Sequence, residues 1–184
     1  MKKFVIGLII GIVVVPLLGF LYFATGMAPV ATSDPMMPFE RTMAGMALHA
    51  RIDKEMPKSV PIPANEENFR AGAQVYMHHC AICHGALGAS ESPIAKGMFP
   101  HPPQLLPPHH GVTDDPPGET FWKVKNGIRL TGMPSFQGSL TDGEEWQVSL
   151  MLANADKLSE NVKKALTFGP PPEPPSPVSA PEKK

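Results

Sequence analysis

The chain has 184 residues, enough for one domain of ordinary size with appendages. Its formal net charge of −1 excludes the strongly basic footprint of a nucleic-acid binder, and 7% aromatic residues leave few large anchors for a core. The departures are 23 prolines, 11 methionines and only two cysteines, too few for a disulfide framework or a four-cysteine metal site.

Lys2 and Lys3 open the chain, and the 21 uncharged residues from Phe4 to Ala24 follow. As a helix that stretch spans roughly 31 Å, close to the ~30 Å hydrocarbon core of a bilayer. This predicts a transmembrane anchor over residues 1–25, lysines in the cytoplasm and the remainder exported. The competing reading is a cleaved signal peptide. Its apolar region is usually shorter, and the one small-residue site, Gly26-Met27-Ala28, is followed by Pro29. Gly7 and Gly11 form a GxxxG pair, common enough in apolar helices to carry little weight.

Residues 26–63 read as a linker holding one short amphipathic helix. Phe39, Met43, Met46, Ala47 and Ala50 recur at helical spacing opposite Glu40, Arg41, Arg51 and Lys54. Packing on the main domain is the plain account of it; a membrane-surface or partner helix is the sharper one.

The main domain is predicted over residues 64–168. Asn65 caps a helix with acids in its first turn and Phe69, Ala73 and Tyr76 on one face. Residues 93–117 carry eight prolines and no helical period, so they read as a loop. A short helix follows and stops at Asn126-Gly127. Thr141 and Glu144 form a capping box before a stripe of Trp146, Leu150 and Ala153. A last helix covers "SENVKKAL", and the proline-rich residues 169–184 are predicted extended and mobile. No strand signal stands out. The domain is all-α.

Both cysteines lie in "HHCAICH", residues 78–84. A thioredoxin-like couple needs a βαβ context, which is missing, and zinc needs four ligands. His78, His79, His101, His109 and His110 offer none at a matched spacing. The third chemistry is covalent haem. Cys80 and Cys83 would each add across one vinyl group, and His84 would lie beneath the iron as its proximal ligand. One helical turn presents both sulfurs to one ring edge and aims the imidazole at the centre. Export past the anchor agrees with that reading, because haem attachment takes place outside the cytoplasm. It predicts one covalent haem c.

With these pieces in order, residues 64–168 resemble the class I c-type cytochromes, particularly the membrane-anchored monohaem kind. The resemblance rests on a helix leading into "CAICHG", then "FPHPPQLLPP", "NGIRLTGMPSF" and a C-terminal helix. It implies a small helical domain around the haem, with His84 and Met133 as axial iron ligands. It also implies that Gly72 and Tyr76 sit where the first helix crosses the last, against Trp146 and Leu150. The carbonyl of Pro102 or Pro103 would accept the second N–H of His84. Among the other methionines, Met98 also sits in a loop after a glycine, but ahead of the proline stretch expected to serve the histidine side. Gly132 and Pro134 around Met133 favour Met133.

Lys123, Lys125 and Arg129 flank the methionine loop. They read either as solvated charges or as contacts to haem propionates or a partner. A second metal site at His101, His109 and His110 lacks spacing and carboxylate company, and His78 and His79 are placed to offset a helix dipole.

The expectation is a one-electron carrier cycling Fe(III)/Fe(II), not an enzyme, in a bacterial inner membrane with its haem domain in the periplasm. Its partners would be a redox donor and acceptor and the membrane, with no nucleic acid. The alternatives are a cytochrome subunit of an oxidase, reductase or dehydrogenase complex, and a haem enzyme or gas sensor with an open sixth position, against which "TGMPSF" argues.

Overall fold

A computed structural model describes residues 1–167. The chain divides into two compact units, Met1–Lys54 and a second that begins at Glu55. The tail predicted for residues 169–184 lies outside the described residues.

In the first unit, α1 runs Lys2–Ala24 with Pro16 inside it. Its 23 residues span roughly 35 Å, long and apolar enough to cross a membrane, and Phe4, Leu8, Ile12, Leu18 and Phe20 are among its exposed side chains. The helix closes where the Thr25 hydroxyl and amide both donate to the Leu21 carbonyl, at 2.7 and 2.9 Å, and Gly26 turns left-handed at φ 72°. The next residues fold in turns: the Asp34 carboxylate accepts from the amides of Val30 and Ala31, both at 2.9 Å. The amphipathic segment forms α2, Glu40–Glu55, and the Glu40 carboxylate accepts from the Met37 amide at 2.8 Å.

The second unit carries α3 (Glu66–His79), α4 (Ala81–His84), α5 (Pro93–Lys96), α6 (Pro117–Asn126), α7 (Asp142–Ala153) and α8 (Glu160–Ala165). Each anticipated cap forms. Asn65 accepts from the Asn68 amide at 3.0 Å, and Thr141 and Glu144 close the capping box; Ser159, not anticipated as a cap, does the same for α8. Gly127 ends α6 at φ 68°, where a Cβ would lie 2.5 Å from the Ser135 amide nitrogen. The proline-rich stretch is not loop throughout: Ser92 caps α5 and Pro93 occupies its first position, which needs no N–H donor. Among the described residues no strand forms, only one isolated bridge between Gln137 and Leu140. The domain is all-α, as read.

Helix α7 packs between α3 and α6, and α8 packs on α3. The core gathers Ala73, Tyr76, Val148, Met151, Leu152 and Val162. At the α3–α7 crossing a Cβ on Gly72 would sit 2.2 Å from the Gln147 carbonyl oxygen and 2.9 Å from the Met151 Cβ. This corrects the expected partners, Trp146 and Leu150. The face of α7 toward α3 contains Gln147, which bonds Asn68 at 3.1 Å, whereas Trp146 stacks on Phe121 of α6 with ring centres 4.2 Å apart. A helix buried nearly all round has no single apolar stripe to mark its crossing face, and Gly72 is approached by the Gln147 backbone rather than by an apolar side chain of that residue.

Candidate functional site

The site begins where α3 hands over to α4. The Cys80 amide donates to the Tyr76 carbonyl at 2.8 Å, ending α3. The Cys80 carbonyl then accepts from Cys83 and His84, at 3.1 and 2.9 Å, which winds the motif into one turn. Both thiols are free and half-buried. Burial, reinforced by the neighbouring Cys83, pushes the Cys80 thiol up to about 12. Ser92 braces the turn from outside, its hydroxyl donating to the Ile82 carbonyl at 2.5 Å.

His84 projects from that turn. Its Nδ1 lies 2.8 Å from the Pro103 carbonyl, which can only accept, so the proton sits on Nδ1 and Nε2 is left with a free lone pair. This selects Pro103 over Pro102. Burial holds the imidazole below its ordinary value, opposed by that hydrogen bond, so the ring is neutral at neutral pH. A neutral imidazole with Nε2 free is the form an iron ligand requires.

Two features here escaped the sequence reading. The Tyr76 hydroxyl, fully buried, donates to the Gly85 carbonyl at 2.6 Å and lies 3.2 Å from the His84 carbonyl. Tyr76 therefore fixes the histidine turn as well as filling the core. Burial, and then the charge at Cys80, raise its phenol well above the usual range, so it stays a donor. Gln104 follows Pro103 and lays its Oε1 against Gly85, where a Cβ would be 2.1 Å away. Its buried Nε2 has no partner among the described residues. An unpaired donor beside His84 fits a neighbouring group that brings its own acceptors.

Met133 sits in a separate loop, tied at both ends. Its amide donates to the Thr131 hydroxyl at 3.1 Å and its carbonyl accepts from Ile128 at 3.1 Å. Beyond Pro134, the Ser135 hydroxyl donates to the Lys125 carbonyl at 2.6 Å and the Phe136 amide to the Val124 carbonyl at 3.1 Å. These bonds hang the loop from the end of α6. The Met133 side chain packs against the core, and Phe136 meets the His79 ring edge-on at 6.0 Å, so His79 touches the methionine loop besides ending α3. Met98, expected on the histidine side, instead reaches the methionine loop: a Cβ on Gly132 would lie 2.0 Å from its terminal methyl.

The flanking lysines are ion-paired within the domain, Lys123 to Glu119 at 2.6 Å and Lys125 to Asp142 at 2.7 Å. His101 faces Glu91 at 3.6 Å, and His109 and His110 are exposed. Among the described residues no three His, Cys, Asp or Glu side chains are grouped to hold an ion. The donor set at the turn is two thiols on one helical turn and one neutral imidazole held from behind. That set fits covalent haem rather than a bare metal.

Comparison with known proteins bears on the same stretch. The family described as cytochrome C oxidase, cbb3-type, subunit III matches residues 67–150. The quinohemoprotein alcohol dehydrogenase ADH IIB of Pseudomonas putida is 30% identical over 98 residues, which are 52% of this chain and 12% of that protein. The chain thus matches about an eighth of that relative's length. A chain of the Kuenenia stuttgartiensis reducing HAO-like protein complex aligns at 24% identity with a TM-score of 0.42, covering 53% of this chain and 47% of that one. Over residues 67–150 the chain matches a c-type cytochrome domain, and the c-type cytochrome family carries covalently bound haem c.

Proposed function

We propose that this protein is a membrane-anchored electron carrier with one haem c. In this reading Cys80 and Cys83 would form the two thioethers, and His84 Nε2 and the Met133 sulfur would hold the iron. Residues 1–25 anchor it in a bacterial inner membrane, 26–63 connect, and the domain that begins at residue 64 holds the haem in the periplasm. The observation that carries the reading is the 2.8 Å bond from His84 Nδ1 to Pro103, on the same turn as two free thiols.

The haem would supply the Fe(III)/Fe(II) couple. The chain's own residues do the remaining work. The Pro103 carbonyl orients the imidazole and raises its basicity. Tyr76 clamps the turn that carries it, and the bonds from Val124, Lys125 and Thr131 hold Met133 in a fixed loop. His84 and Met133 so held would keep their places as the haem changed oxidation state, which would suit outer-sphere transfer, and a thioether ligand would raise the potential. No substrate then binds iron.

A second reading, a cytochrome subunit of a larger oxidoreductase, is favoured by the Pseudomonas putida dehydrogenase, within which the matched stretch is one small part. The carrier reading is tested by adding carbon monoxide to the reduced protein while its potential is titrated. A one-electron wave with no carbon monoxide complex is expected; rapid carbon monoxide binding would mark an open iron site. Detergent extraction with identification of stably bound chains separates carrier from subunit.

A further inference from the structure

Helix α2 is apolar on two opposite sides. Gly45, Leu48 and Ile52 share one side, and Ile52 is only 1% exposed. At roughly half a turn from them, by 100° per residue, lie Met43, Met46 and Ala50, with Phe39 on the residue just before the helix. These run at i, i+4, i+7 and i+11, and Phe39, Met43 and Met46 are 76%, 70% and 68% exposed. A contiguous apolar stripe left in water marks a surface that something covers. Phe39 sharpens the case. It holds φ 64°, a left-handed conformation costly for any residue with a Cβ, and presents an aromatic ring to solvent.

What covers the stripe follows from where α2 starts. The turns after α1 fold back on its end, so Tyr22 of α1, Ala28, Met36 and Pro38 line one shallow cavity. The first residues of α2 therefore lie beside the end of the apolar span. Met27, Val30 and Met36, all exposed, continue the apolar surface between them. The charges of α2 balance, Arg41, Arg51 and Lys54 against Glu40, Asp53 and Glu55, so its recognition chemistry is apolar burial rather than attraction to anionic headgroups. Lys54 and Glu40 border one edge of the stripe and Thr42 and Asp53 the other, where polar ends reach water from an interfacial helix.

We propose that α2 lies on the outer surface of the membrane spanned by α1, with Phe39, Met43 and Met46 seated at the boundary between headgroups and acyl chains. This rests on the anchor reading above. A bilayer-seated α2 holds the point where the haem domain begins close to the lipid surface.

The full-length holoprotein in phosphatidylcholine nanodiscs tests it, with Cys80 and Cys83 consumed by haem and the wild type as labelling blank. Single cysteines M43C, M46C, A44C and I12C are labelled with an environment-sensitive fluorophore. Lipids carrying a spin label near the headgroup should quench positions 43 and 46 about threefold more than position 44, which is exposed on another side of α2. Deep-chain spin labels should quench position 12. Equal quenching at 43 and 44 with position 12 quenched overturns the inference and leaves the anchor standing. An unquenched position 12 overturns the anchor first. A label at 43 shielded from aqueous iodide yet unquenched by lipid places it under protein, a second copy or a partner, and also overturns the proposal.

Discussion

The Tyr76 hydroxyl and the Gly85 carbonyl are 2.6 Å apart, in a part of the core where neither has water to turn to. That bond joins the last turn of α3 to the residue just after His84, so helix packing and ligand placement are one feature. Tyr76→Phe removes the donor and leaves a buried carbonyl unsatisfied, which should cost about 1–3 kcal/mol. Urea unfolding of the holoprotein measures it, and haem content should not change. A variant as stable as the wild type would show that the hydroxyl contributes nothing there.

Gly72→Ala should be more damaging than its size suggests. The added Cβ would meet the Gln147 carbonyl oxygen at 2.2 Å, and backbone does not step aside as a flexible side chain does. Forcing α3 and α7 apart should cost about 3 kcal/mol, the upper end of ordinary overpacking. The same change at Gly143, in the first turn of α7 with the nearest atom 3.9 Å away, should be neutral or gain up to about 1 kcal/mol, since alanine favours the helix. Thermal unfolding of the two variants side by side checks the contrast.

Much of this was legible in the residues because local signals agreed with the global fold. Asn65, Thr141 with Glu144, and Gly127 announced helix ends whose caps are local by nature. The helix α5 was missed because Pro93 looks like a breaker, and at a first helical position it is not. The crossing partners of Gly72 were misplaced by one residue because the closest approach is made by the Gln147 backbone carbonyl, which no side-chain pattern marks. Pro103 over Pro102, the second role of Tyr76 and the contact of Met98 with Gly132 depend on side-chain direction across 19, 9 and 34 residues of sequence. No periodicity encodes those.

Glu145 gives a pH signature. It is 1% exposed, no hydrogen bond reaches its oxygens, and its nearest cation is Lys125 at 3.9 Å, shared with Asp142. Burial raises its proton affinity, Lys125 opposes that, and Asp142 adds to it, with burial dominant. A carboxyl whose folded value is raised contributes stability that is fully present below its unfolded value and lost as pH climbs through the folded one. Glu145→Gln should therefore match the wild type below the ordinary carboxylate range and gain on it as pH rises through the window above 4.5, then run parallel. Denaturant midpoints across that range test it. A gap that widens toward acid instead would mean that Glu145 is stabilised as an anion.

The sixth ligand separates two methionines. Met133→Ala should abolish the weak long-wavelength sulfur-to-iron absorption of the oxidised protein, lower the potential and admit carbon monoxide. Met98→Ala should keep all three properties, although its methyl group lies against Gly132. Optical spectra and potentiometry of the pair decide, and the reverse pattern would transfer the ligand to Met98.

The central claim is covalent attachment at Cys80 and Cys83, and an intact-mass measurement on the denatured, acid-acetone-extracted protein tests it most directly. The polypeptide should carry the mass of one haem, retained through extraction, and Cys80→Ala together with Cys83→Ala should carry none. Haem released into the acetone from the wild type, or a second haem on the chain, would contradict the account.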